Sequence, residues 1–284
     1  RLIRQFDWQG AFAIFGILIP LVLVPLAVFV IRNSPESIGT KPDGDSAPSD
    51  AAPIAPVAAL DRSKLPDLSV GQSVRTASFW YLFLVNFFMV LGTSIVTAHV
   101  VGMVTDSALG SALGRESAMQ IGSRVITYFL IASIAGRYLG GLLAERFSKR
   151  HVMCAQYVIM IFSAILLFQL SSMAVLYAFV LLYGLGMGGS AVVYPLILGE
   201  NFGLRSFSKL LGIMGIPFTL GAAIGQVGAA RIYDLMKAAE VANPYGGVFL
   251  LLIFVFAISS FLVLLAKPPK VAILPVPAAE QEPA

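Results

Sequence analysis

Hydrophobic positions in this chain do not alternate with polar ones; they come in long blocks. No Asp, Glu, Lys or Arg occurs from Trp8 to Ile31, Phe79 to Met103, Leu210 to Ala230 or Val241 to Ala266. Each block is long enough to cross a hydrocarbon layer about 30 Å thick, which takes roughly 20 helical residues. The stretch from His151 to Gly199 is equally free of those charges and too long for one crossing, so it predicts a helical hairpin turning at Ser171-Ser172. A further block, Gln120 to Ala144, is apolar apart from Arg124 and Arg137. Backbone polar groups in lipid must be satisfied internally, and spans of this length do that as helices. The pattern therefore predicts an all-α integral membrane protein with seven transmembrane helices.

The blocks also divide the chain. Residues 1–32 carry the first span, 33–77 a linker, 78–267 a bundle of six spans, and 268–284 a tail. The linker shifts abruptly to Pro, Ala, Ser and Asp, with Pro35, Pro42, Pro48, Pro53, Pro56 and Pro66. Such a composition orders poorly and reads as a connector. Near its end, Asp67 to Arg75 predicts a short amphipathic helix capped by Ser69 and lying on the membrane face.

Composition changes this picture little and excludes much. Hydrophobic residues make up 58% of the 284 and charged residues 12%, with a mean hydropathy of +0.86. That charged fraction is about half that of a soluble domain, which excludes a soluble enzyme and a nucleic-acid reader despite the net charge of +4. One cysteine, Cys154, inside an apolar block, excludes a disulfide framework or a cysteine metal site. Twelve of the nineteen Lys and Arg fall on one side of the membrane if the first span ends in the cytoplasm. The positive-inside rule then puts linker and tail in the cytoplasm, in a multi-pass protein of the inner (plasma) membrane. The chain opens on Arg1 without a signal-like leader, so further chain is expected before it.

The most informative local sequence joins the third and fourth spans. Gly141-Leu142-Leu143-Ala144-Glu145-Arg146-Phe147-Ser148-Lys149-Arg150 fits G-x-L-A-[DE]-R-x-x-[RK]-[RK], with Ser148 in place of the usual glycine. Physically, Gly136, Gly140 and Gly141 allow close helix approach, and Glu145, with the bases around it, can make and break ion pairs with a neighbouring helix end, such as Arg205 or Lys209. The segment resembles the signature of the major facilitator superfamily, found between the second and third helices of each six-helix half. The resemblance implies a partial major facilitator bundle, in which the seven spans are the family's sixth to twelfth helices and residues 33–77 its central linker. It also implies a gating role for Gly141, Glu145, Arg146, Lys149, Arg150 and Arg205, and an N-terminal half of the same transporter as partner. Within the superfamily, Arg32 to Gly39, Lys41 to Gly44, Ser78-Phe79-Trp80, His99 with Asp106, and Asn201 to Phe207 resemble the oxalate/formate antiporter and monocarboxylate transporter-like group. Gly102 stands where that group often has proline.

Arg137 is the leading candidate for substrate contact. No acid lies well inside any span, so it has no obvious counter-charge there, and an intramembrane cation faces a cavity or a partner. An arginine at this position binds the substrate carboxylate in the resembling group; the alternative is an arginine snorkelling to helix-end carbonyls. Arg124 is read as snorkelling. The oxalate transporter's second cation has no counterpart between Leu210 and Ala230, which argues against a compact dicarboxylate. Tyr194, Asn86 and Phe218 are candidate cavity-lining residues, each equally suited to packing. His99 titrates near neutral pH when unperturbed and is a candidate for substrate or proton contact, or a plain hydrogen-bonder.

The run Gly184-Leu185-Gly186-Met187-Gly188-Gly189 lacks the preceding strand that a nucleotide loop needs. With Tyr194-Pro195, Gly215-Ile216-Pro217, Gly221, Gly225 and Gly228 it predicts closely packed, bendable helices. No catalytic motif accompanies the spans. The expected function is transport of a small organic anion, a carboxylate, by alternating access as antiporter or symporter, with a proton or counter-anion coupled and the bilayer as solvent. No enzymatic activity, cofactor, metal or nucleic acid enters. The alternative is a transport-inactive receptor or assembly subunit on the same bundle.

Overall fold

The computed structural model describes residues 2–29 and 68–269. The resemblance at residues 32–44, most of the linker and nearly all of the tail lie outside the described residues. Helix α1 (Leu2–Phe29) belongs to a first unit, Arg1–Ala59, and every other described helix to a second, Leu60–Ala284. Within α1, Asp7 departs from helical geometry and Phe12–Leu26 forms an apolar stretch that accommodates Pro20 and Pro25.

The second unit contains α2 (Val70–Val74), α3 (Ala77–Thr105), α4 (Ala108–Leu113), α5 (Arg115–Arg146), α6 (Lys149–Leu167), α7 (Met173–Phe202), α8 (Phe207–Ile213), α9 (Gly215–Ala238) and α10 (Gly246–Leu265). The described residues contain helices and no strands. Six stretches are long and apolar enough to cross a membrane: α3, α5, α6, α7, the α8–α9 pair and α10. They match the six blocks expected after the linker, and the α6–α7 turn falls at the predicted serines, with Ser172 capping α7. The short α2 is capped as its sequence predicts: Ser69 Oγ accepts from Gln72 N, and Gln72 Oε1 accepts from Ser69 N.

Packing follows from where small residues sit. α5 makes its most extensive contact with α7, α3 with α9, and α6 with both α7 and α10, while α10 and α5 each flank α3. Helices α3, α5, α7, α6 and α10 thus close a ring, and α9 lies on the flank of α3. Association in lipid relies on close backbone approach, because apolar side chains gain little by leaving hydrocarbon. At the α5–α7 crossing a side chain on Gly136 would collide with the Leu185 backbone, and one on Gly188 with the Ser133 backbone. Gly141, expected to share this role, instead faces open space; the stripe Ser133, Gly136, Gly140, Ala144 is the one that packs, and Gly141 lies about 100° beyond it.

One expected span is not continuous. The block Leu210 to Ala230 is broken at Met214 into α8 and α9. Pro217 has no N–H to offer the Ile213 carbonyl, so the helix loses a hydrogen bond there. The Met214 carbonyl accepts from Phe218 N at 3.4 Å and from Asn86 Nδ2 at 2.8 Å.

Candidate functional site

Three helices converge on a cavity of about 330 Å³ beside the break. α3 contributes Asn86, Met89 and Val90; α7 contributes Ser190, Ala191, Tyr194 and Pro195; the α8–α9 junction contributes Leu211, Met214, Gly215 and Phe218. The structure therefore brings together Asn86, Tyr194 and Phe218, three of the residues singled out from sequence. Met89, Leu211 and Met214 were not singled out; Met214 was findable, because Pro217 three residues on predicts a break near it. No charged side chain lines this cavity among the described residues.

Its polar groups are mostly committed to the backbone. Ser190 is fully buried and its hydroxyl donates to the Met187 carbonyl at 3.0 Å. Tyr194 donates to the Leu82 carbonyl at 3.3 Å, tying α7 to α3. Asn86 must turn its nitrogen toward Met214, since its own oxygen cannot donate to a carbonyl. Pro195 stays within α7 without breaking it, but leaves the Ala191 carbonyl without the N–H it would otherwise receive.

Arg137 and His99 lie elsewhere. Arg137 is exposed on α5, next to the packed Gly136, and is not a lining residue of the cavity. It is nine residues from the end of α5, at Arg146, and Asn86 is nine from the start of α3, at Ala77. Both thus lie about 14 Å from the same end of the bundle. α5, like α8–α9, is the least buried of the long helices. His99 is half-buried, and its Nε2 sits 3.1 Å from the Gln226 carbonyl, so it joins α3 to α9 rather than lining the cavity. Arg124 is exposed on α5.

The end of the bundle that carries the glycine and charge motif is tied together internally. Lys149 Nζ lies 2.9 Å from Glu200 Oε2, and Arg150 donates to the Leu264 carbonyl at 3.3 Å. Buried Asn201 donates to Ser78 Oγ at 2.8 Å and to the Ala266 carbonyl at 3.1 Å. The expected pairing of Glu145 with Arg205 or Lys209 does not form; Glu145 and Arg146 are exposed, and the acid used is Glu200, at the far end of α7.

At the opposite end the Tyr233 hydroxyl donates to Asp106 Oδ2 at 2.6 Å, Lys237 Nζ stands 5.6 Å over the Tyr233 ring, and the Tyr245 ring lies 4.5 Å away. Burial, then the neighbouring Asp106 carboxylate, pushes the Tyr245 hydroxyl up to about 12. A recess of about 250 Å³ opens here among turn residues, including Ser107, Gln169 and Asn243. Among the described residues no group of His, Cys, Asp and Glu is placed to hold a metal ion.

Six long apolar stretches packed side by side, one of them interrupted beside a cavity, define a multi-pass membrane protein. The profile of the Major Facilitator Superfamily matches residues 98–283, more than half of the chain, and the chain belongs to that family. It is similar to the uncharacterized MFS-type transporter YhjX of Escherichia coli (strain K12), 26% identical over 158 residues, which are 55% of this chain and 37% of that protein. Its fold resembles the POT family transporter PepTSo, with a TM-score of 0.55 at 17% identity over 69% of this chain and 39% of that one. The chain thus spans under two fifths of the length of these relatives. The family's matched relatives are transporters rather than enzymes.

Proposed function

We propose that this chain is part of a transporter that moves a small organic anion, a carboxylate, by alternating access. The observation that carries the reading is Arg137: a cation in an apolar helix, at the depth of the cavity, with no acid within ion-pair distance among the described residues. A permanently charged guanidinium at that depth is costly unless a partner meets it, and its planar fork suits a carboxylate. Asn86, Tyr194 and Phe218 then form the wall against which the rest of the molecule lies. His99, on α3 and bonded to the Gln226 carbonyl, is the candidate for proton contact, whereas exchange of one anion for another needs no such group. The subgroup resemblance points the same way, toward monocarboxylates or larger organic acids. The family's sixth-to-twelfth-helix assignment, with residues 33–77 as linker, supplies the rest of the frame, including a preceding half as partner and a cytoplasmic motif end.

The test uses the intact protein in liposomes loaded with a carboxylate. Arg137→Ala should abolish carboxylate exchange while the protein stays monodisperse and folded. Exchange at the wild-type rate would overturn the assignment.

A further inference from the structure

We propose that the recess at the end of the bundle opposite the motif is a binding site for a small organic cation, an ammonium ion whose charge is only weakly hydrated. It shares no lining residue with the cavity beside Asn86 and does not include Arg137, so the inference stands apart from the carboxylate reading.

Three inter-helix turns meet there. The α3–α4 turn supplies Asp106 and Ser107, the α6–α7 turn Phe168 and Gln169, and the α9–α10 turn Asn243 with Tyr245. The turns are held by bonds of their own: Leu109 N donates to the Leu170 carbonyl at 3.1 Å, and Asn243 Oδ1 accepts from Tyr245 N at 3.1 Å. The floor is apolar, with Met103, Leu167 and Phe249 all buried.

Two features of the lining select for positive charge. The Phe249 ring lies 6.1 Å from that of Tyr245 and nearly parallel to it, while Phe168 stands 5.2 Å from Phe249 at 77°. Three rings so disposed form a corner, and ring faces attract cations. Beside them Asp106 Oδ2 accepts from Tyr233, and no hydrogen bond engages Oδ1. No base stands within ion-pair distance of this carboxylate among the described residues, and nothing that lines the recess is cationic. Lys237 and Arg115 bear on Tyr233, outside the lining. The Tyr245 hydroxyl, by contrast, is pushed up by burial and then by Asp106, Tyr233 and Asp234, with no base opposing them. An anion would meet repulsion here. A metal ion would find one carboxylate and no further anionic ligand. A quaternary ammonium gives up little hydration against phenyl rings and gains from rings and carboxylate together. A volume of about 250 Å³ admits one small ion of this kind.

Choline and its uncharged carbon isostere, 3,3-dimethylbutan-1-ol, differ in charge and in little else. Calorimetric titration of the intact protein in maltoside micelles should show choline binding at least about ten-fold tighter than the alcohol. Asp106→Asn, which can still accept from Tyr233, should weaken choline by about five-fold or more and leave the alcohol within about two-fold. Phe168→Leu, at an exposed ring whose loss spares the core, should weaken choline by about three-fold. Without ligand both variants should melt as wild type does. Repeating the titration in phosphatidylglycerol nanodiscs with and without phosphatidylethanolamine identifies the source. Affinity lost to the added lipid assigns the site to a headgroup ammonium, unchanged affinity assigns it to a soluble one, and each result upholds the site. No choline binding up to about 10 mM, equal binding of choline and the alcohol, or binding indifferent to both substitutions overturns the inference.

Discussion

Asn201 offers the clearest energetic test of how the motif end of the bundle is held. Its side chain is 1% exposed and makes two hydrogen bonds through one nitrogen, to Ser78 Oγ near the start of α3 and to the carbonyl of Ala266 just after α10. Asn201→Leu preserves the branched shape and removes both. Interhelical hydrogen bonds in membrane proteins average about 0.6 kcal/mol, with a maximum near 1.7. Two such bonds, with some added cost for a buried Ala266 carbonyl left unmet, give a loss of about 2 kcal/mol. Reversible unfolding of the purified protein in mixed micelles, with increasing denaturing detergent, measures it directly. A double-mutant cycle with Ser78→Ala isolates the first bond and should return a coupling of about 0.6 kcal/mol. A loss below about 0.5 kcal/mol together with zero coupling would refute the reasoning, because the two bonds would then be contributing nothing that water or neighbouring groups do not replace.

Gly188→Leu should cut the yield of monodisperse protein to a small fraction of wild type in size-exclusion chromatography, since the new side chain would enter the Ser133 backbone, whereas Gly141→Ala, facing open space, should behave as wild type. Lys149→Met should change stability in the same micelle assay by less than about 1 kcal/mol, because Lys149 is 20% and Glu200 41% exposed; a loss above about 2 kcal/mol would show that the pair is shielded from solvent. The Tyr245 hydroxyl is raised from about 10 to about 12 in the folded protein, so between these values the unfolded chain has lost this proton and the folded one keeps it. Its contribution is therefore complete below pH 10 and is lost as pH rises toward 12. Absorbance titration of tyrosinate, compared between wild type and Tyr245→Phe, should show one phenol missing from the upper end of the curve.

The spans were legible because lipid imposes one rule along a whole helix, and a charge-free block of the right length obeys it in few ways. The hairpin at Ser171-Ser172 and the Ser69 cap were legible because each depends on residues within four positions of one another. The break at Met214 was half legible: Gly215-Ile216-Pro217 announces a weak point, but the amide that holds it comes from Asn86, over a hundred residues earlier. The pairing of Lys149 with Glu200 was hidden for the same reason. Several acids and bases crowd the helix ends, and which two meet is decided by the rotation of α7 against α6. Gly141 illustrates the limit within a single motif. The sequence shows adjacent glycines, and the 100° step between neighbouring residues decides that Gly140 packs and Gly141 does not.

The break at Met214 also has a mechanical meaning. Elsewhere the bundle is cross-tied: at the motif end by Lys149, Arg150 and Asn201, and at the other by Asp106 with Tyr233 and His99 with the Gln226 carbonyl. Between these clamps α8 is joined to α9 at an interruption whose side-chain restraint is the bond from Asn86. A bond worth about 1 kcal/mol is open roughly one sixth of the time at room temperature. Bending strain applied to the bundle should therefore collect at this joint, whose residues Met214 and Gly215 form part of the cavity wall. A ligand filling the volume beside Asn86 would therefore press on the joint itself, since Leu211, Met214 and Gly215 line that volume.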